Sequence, residues 1–207
     1  EPGIAVEGVV GTSAGAMNAA VIAYGLTIGG NEGARTKLAE FWRAISETTQ
    51  FSPLQSSWLD HPQSPGSLDH SPGYLFVEML SRFFSPYELN PLNHNPLRDV
   101  LSKVIDFAAL RAGGKVKFFT CATNVLTGRL RIFECHEQSV DTVLASACLP
   151  FMFQAVEVNG EHYWDGGYMG NPPIFPIIYK CESRDVVLVM INPIAIDKVP
   201  KGARAIV

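Results

Sequence analysis

The stretch Val6-Glu7-Gly8-Val9-Val10-Gly11-Thr12-Ser13-Ala14-Gly15-Ala16-Met17-Asn18-Ala19-Ala20-Val21-Ile22-Ala23 decides the fold. A short apolar run gives way to a G-x-S-x-G turn and then to an alanine-rich segment. That order reads as strand, sharp turn and helix. A serine on such a turn is lifted off the sheet edge into an exposed, strained position above a helix N-terminus. Small residues are expected around it, because a Cβ branch would crowd the strand or the helix; Gly11, Ala14, Gly15 and Ala16 meet that need. The helix start brings unpaired N–H groups and partial positive charge to the place where an oxyanion would form. Ser13 is thus a candidate nucleophile, with Gly11, Ala14 and Gly15 as candidate turn and oxyanion residues.

Outward from this turn, the first helix covers roughly 15–24, and Gly29-Gly30-Asn31 breaks the chain before a second helical stretch over 34–45. There Leu38, Phe41, Trp42 and Ile45 recur at helical spacing. From Phe51 to Asn95 prolines and aromatics crowd together, which excludes a long helix or a central strand. The reading is a loop-rich insertion, or a lid over an apolar substrate, holding one short helix over 74–84. Pro96-Leu97-Arg98 opens another helix. Strands are expected over 116–122 and 130–135, with turn material over 124–128 between them. The run 139–148 is a helix capped by Ser139 and stopped by Pro150. Val156–Val158 and His162–Trp164 flank Asn159-Gly160, a strong hairpin signal. Asp185–Ile191 is nearly all apolar, as a strand buried in a parallel sheet would be.

A chain of 207 residues buries one sizeable core and most simply forms one domain, residues 1–207. Its apolar share of 47% and charged share of 17% place it among globular rather than disordered chains. A formal charge of −4, with no basic run, gives no reason to expect nucleic acid. Cys121, Cys135, Cys148 and Cys181 are widely spaced with no C-x-x-C pair, so buried free thiols are expected rather than a zinc or redox motif. No stretch reaches transmembrane length and no signal-peptide pattern opens the sequence, which points to a cytoplasmic or peripheral-membrane setting.

A serine hydroxyl needs a proton acceptor within reach at neutral pH. The histidines are His61, His70, His94, His136 and His162, and none follows the late apolar run where an α/β-hydrolase triad would place one. The alternative acceptor is a carboxylate. Asp165 closes the hairpin strand, and Gly166-Gly167 behind it free the backbone to turn sharply. Asp99, Asp106, Asp141 and Asp185 sit at expected helix or strand starts, where capping accounts for them. A carboxylate base works best in a partly desolvated site. Trp164, Phe151 and Phe153 are candidates for its apolar surround. Phosphate or nucleotide binding through Gly8–Ser13 fits neither a G-x-G-x-x-G pattern nor a P-loop, and no lysine follows the glycines.

These residues resemble the patatin-like phospholipase family. The matching stretches are Gly11-Thr12-Ser13-Ala14-Gly15-Ala16, Pro96-Leu97-Arg98, Ala122-Thr123-Asn124 with Thr127-Gly128, and Ala145-Ser146-Ala147-Cys148-Leu149-Pro150-Phe151. Trp164-Asp165-Gly166-Gly167-Tyr168 follows, and then Asn171-Pro172-Pro173. They occur in the family's order from Gly8 to about Pro193. The resemblance implies an α/β fold, a three-layer α/β/α sandwich around a mostly parallel sheet. It implies a Ser–Asp dyad in which Ser13 matches the nucleophile and Asp165 the general base. The implied activity is hydrolysis of phospholipid or other acyl esters, without a metal or other cofactor, at a membrane or micelle surface. The family's glycine-rich oxyanion loop, G-G-G-x-[RK]-G, has no counterpart in these residues; the expectation is that it precedes Glu1. The alternative is a catalytically inactive lipid-binding module. A protease or thioesterase on the same machinery is a further one.

Overall fold

The computed structural model describes residues 5–49, 83–114 and 116–190, together with 195 and 199. Strand β1 (Gly8–Gly11) enters the serine turn and helix α1 (Ala14–Thr49). The glycine pair breaks α1: Gly29 has φ −148° and ψ 17°, and Gly30 has φ 61° and ψ −150°. Only glycine adopts the latter comfortably. The two limbs fold back on each other, as the Trp42 indole N–H donating to Asn18 Oδ1 at 3.1 Å shows. Phe41 is buried as expected, whereas Trp42 stays half out of the core to make that bond.

Helix α2 (Pro86–Leu89) is followed by α3 (Pro96–Val104), whose N-cap Asn95 accepts from the Leu97 N–H and whose first residue is Pro96. Its apolar stripe, Val100, Leu101 and Val104, is buried against α1. Helix α4 (Phe107–Gly113) begins at Asp106, whose carboxylate accepts from the Ala108 and Ala109 N–H groups. Strands β2 (Lys117–Asn124) and β3 (Leu130–Phe133) then lead to helix α5 (Val140–Ser146), which is capped by the Ser139 hydroxyl. The hairpin β4 (Val156–Val158) and β5 (Glu161–Asp165) turns at Asn159 and Gly160, both at positive φ. Helix α6 (Phe175–Lys180) packs against β1.

The sheet is mixed. β1 pairs with β2 in parallel, while β2–β3, β2–β5 and β4–β5 are antiparallel. The mostly parallel sheet expected above is therefore not what the described residues form. The reason lies in the connections: a two-residue turn joins β4 to β5 and a short turn joins β2 to β3, and such links permit only antiparallel pairing. The long crossover from β1 to β2 allows their parallel pairing. The strand expected over 185–191 is also absent from its described part, 185–190. Among the described residues that segment has no strand partner. The expected helix over 74–84 and most of the 51–95 insertion lie outside the described residues. Among the described residues, no helix is long and apolar enough to cross a membrane.

At the start of β1 the Glu7 carboxylate accepts from Lys117 Nζ at 2.8 Å and from the Glu182 and Ser183 N–H groups at 2.8–2.9 Å. Lys117 first, then the two amides, hold its carboxyl down at about 2. A depressed carboxyl stabilises the fold above its ordinary value of 4.5, and that contribution is lost as pH falls toward 2. Glu7→Gln should flatten the acid limb of the stability profile between those values, as urea unfolding across pH will show. An unchanged acid limb would mean that the clamp carries no stability.

Candidate active site

Thr120 pairs with both Gly11 and Phe133, and Thr123 pairs with both Trp164 and Leu130. One residue can face only one neighbour on each edge, so β3 takes one edge of β2 while β1 and β5 divide the other. They approach head-on. β1 leaves the edge at Thr120 and β5 leaves it at Ala122, where Asp165 pairs, so only the level of Cys121 lies between them. Two residues of strand rise span about 6–7 Å. The serine turn and the Asp165 carboxylate thus issue from one gap in the sheet. Strand register thus brings the ends of two segments distant in sequence to nearby levels of one edge of β2.

Both ends of this gap are crowded. A Cβ on Gly11 would lie 2.2 Å from the Gly15 carbonyl oxygen, and one on Gly166 would lie 2.4 Å from that of Cys121. Gly15 itself differs from expectation: a Cβ there would meet nothing within 4 Å. The squeeze falls on Gly11 because it faces the backbone of Gly15, while the outer side of Gly15 faces solvent. Thr12 is buried, its hydroxyl 2.9 Å from the Cys121 thiol and donating to the Gly170 carbonyl at 3.2 Å. The flanks of the serine are therefore anchored to β2 and to the loop behind Asp165.

Ser13 has φ 58°, a left-handed conformation that non-glycine residues adopt at a cost of roughly 1–3 kcal/mol. Its N–H is shared between the Ser146 carbonyl and the Ser146 hydroxyl, each at 3.1 Å. The Gly15 N–H turns back to the Thr12 carbonyl. Ala14, first in α1, has no carbonyl one turn behind it inside the helix and is exposed, so its N–H is open to an incoming anion.

Asp165 is 4% exposed. Its Oδ1 accepts from the Gly167 N–H at 2.7 Å, its backbone N–H donates to the Cys148 carbonyl at 2.8 Å, and its carbonyl accepts from the Thr123 hydroxyl. Oδ2 is buried and has no hydrogen-bond partner. No hydrogen bond joins it to Ser13. Buried polar atoms are nearly always paired, so this orphaned carboxylate oxygen is an exception that calls for an explanation. Trp164 and Phe153 are half-buried, whereas Phe151 is exposed.

The cysteines beside this gap are poor rivals as nucleophiles. Burial pushes the Cys121 and Cys148 thiols up to about 11, which keeps both protonated and unreactive at neutral pH. All four cysteines are free. His94, His136 and His162 are exposed, and His162 lies opposite Glu157 in the hairpin. Sequence reasoning quoted Ala145–Phe151 as a motif without giving it a role; in the structure its Ser146 and Cys148 hold the backbones of Ser13 and Asp165.

A patatin-like phospholipase family model matches residues 1–178, a span that contains every residue of this gap. The chain belongs to the patatin-like phospholipase family. No curated protein and no solved structure matches it. For a patatin-like phospholipase the substrates are lipids and the chemistry is acyl hydrolysis, and the α/β architecture found here agrees with that membership.

Proposed function

We propose that the protein hydrolyses carboxylic esters of phospholipids or related lipids through an acyl-serine intermediate, with Ser13 as nucleophile and Asp165 as general base. One observation carries the reading. Asp165 presents a buried oxygen with no partner at the gap where a serine at positive φ leaves the sheet. Asp165 Oδ2 takes the Ser13 hydroxyl proton as Oγ attacks the ester carbonyl carbon. The oxyanion forms beside the Ala14 N–H at the start of α1. Collapse expels the alcohol, which leaves with the proton held by Asp165. Water then gives a proton to Asp165 and attacks the acyl carbon, and collapse returns the proton to Ser13 Oγ.

Gly11, Gly166 and Gly167 act in this scheme by letting backbones close around the gap, and Gly15 by leaving its outer side open. Phe151, in the loop after Cys148, and Tyr168 and Met169, just after Asp165, expose 51%, 56% and 52% of their surface, apolar area suited to acyl chains or to transient contact with a membrane or micelle. A cytoplasmic or peripheral-membrane setting and the full three-layer sandwich belong to the same proposal. The test is chemical. Incubation with a nitrophenyl butyrate ester and with phosphatidylcholine vesicles should release nitrophenol and fatty acid. Rapid acid quench should leave a butyryl group on the peptide containing Ser13. Acylation at another residue, or hydrolysis of neither substrate, overturns the reading.

A further inference from the structure

The structure assigns Ser146 as a positioning residue for the nucleophile, a role that rests on the acyl-hydrolase reading and extends it. Ser146 ends α5 and is fully buried. Its carbonyl and its hydroxyl both accept from the same Ser13 N–H, at 3.1 Å each. Two residues on, the Cys148 carbonyl accepts from the Asp165 N–H at 2.8 Å. A single three-residue bracket, Ser146-Ala147-Cys148, therefore sets the backbones of both candidate dyad members.

The bracket answers a specific problem. Ser13 sits at φ 58°, where relaxation into ordinary helical or extended backbone would swing Oγ away from Asp165. The turn's own bonds, the Gly15 N–H to the Thr12 carbonyl and the Ala16 N–H to the Ser13 carbonyl, fix its downstream side. Among the described residues, no other group accepts from the Ser13 N–H. A carbonyl alone leaves that N–H free to pivot, whereas a second acceptor on the same residue fixes its direction. The same contact commits this N–H to the protein, so the oxyanion donor on this side is left to Ala14. Ser146 thus acts through Ser13 and touches no substrate.

The test uses the full chain and a fluorophosphonate probe, with the labelled residue located by mass spectrometry and the second-order labelling rate measured. Labelling of the parent at Ser13, lost in Ser13→Ala, upholds the hydrolase reading on which the role depends; a parent that does not label there overturns both. Ser146→Ala removes one acceptor at nearly constant volume. Its labelling rate should fall roughly tenfold to a hundredfold, the loss associated with an ångström of misplacement. On the butyrate ester, kcat should fall with KM unchanged. Ser146→Cys, similar in size but a weak acceptor, should behave alike and guards against a folding failure of the first variant. A hydroxyl that merely satisfies the core would lower the melting temperature and leave the labelling rate alone. Either variant, folded and labelling at the parental rate, overturns the assignment while the hydrolase reading stands.

Discussion

Asp165→Asn should lower turnover of both ester substrates by about 10³–10⁴, near the upper range for loss of a general base, and leave the fold intact. The substitution is nearly isosteric. The Asn side-chain oxygen can still accept from the Gly167 N–H, and the backbone bonds to Cys148 and Thr123 are untouched. What changes is the buried, unpartnered oxygen, replaced by an amide that cannot take a proton from Ser13. An ionised oxygen shut away from water without a partner is costly. A neutral amide relieves that cost, so the variant should melt no lower than the parent. Loss of activity with stability kept or raised is the signature of a group retained for chemistry. Esterase assays beside thermal unfolding decide it. More than a tenth of parental turnover in a folded variant would remove Asp165 from the mechanism.

The gap that Asp165 occupies shows where sequence reasoning reached and where it stopped. Local rules located the break at Gly29-Gly30, the helix start at Pro96, the Ser139 cap, and the Asn159-Gly160 hairpin, because each depends on a few neighbouring residues. The late run over 185–190 failed the same treatment. Its apolar character was legible, but a strand exists only with a partner, and partnership is not written in one segment.

The proposed dyad was reached by elimination among bases and by the resemblance, not by register. That β1 and β5 share one edge of β2 and end two residues apart emerges only from three pairings taken together. Ser146 was hidden for a related reason. A serine near a helix end reads locally as a cap or a core hydroxyl, and its contact with Ser13 spans 133 residues of sequence.

Gly11→Ala and Gly15→Ala should move stability in opposite directions, although both glycines belong to the same five-residue turn. The new methyl at position 11 would sit 2.2 Å from the Gly15 carbonyl oxygen and 2.7 Å from the Ala16 nitrogen. Both are backbone atoms that cannot rotate aside, so β1 or the start of α1 must shift. Overpacking of this kind costs about 3 kcal/mol or more, or roughly 6–12 °C of melting temperature for a domain of this size. The shift also pulls Ser13 off its Ser146 contact, and labelling by the fluorophosphonate should disappear. At position 15 the methyl meets nothing, and alanine favours the helix by about 1 kcal/mol over glycine. Melting should therefore rise by about 2–4 °C. If Gly15→Ala gains that stability and yet turns over bulky esters more slowly than short ones, the open side of the elbow is where the acyl ester lies. Equal destabilisation by the two substitutions would mean that the crowding at Gly11 is not what shapes the turn.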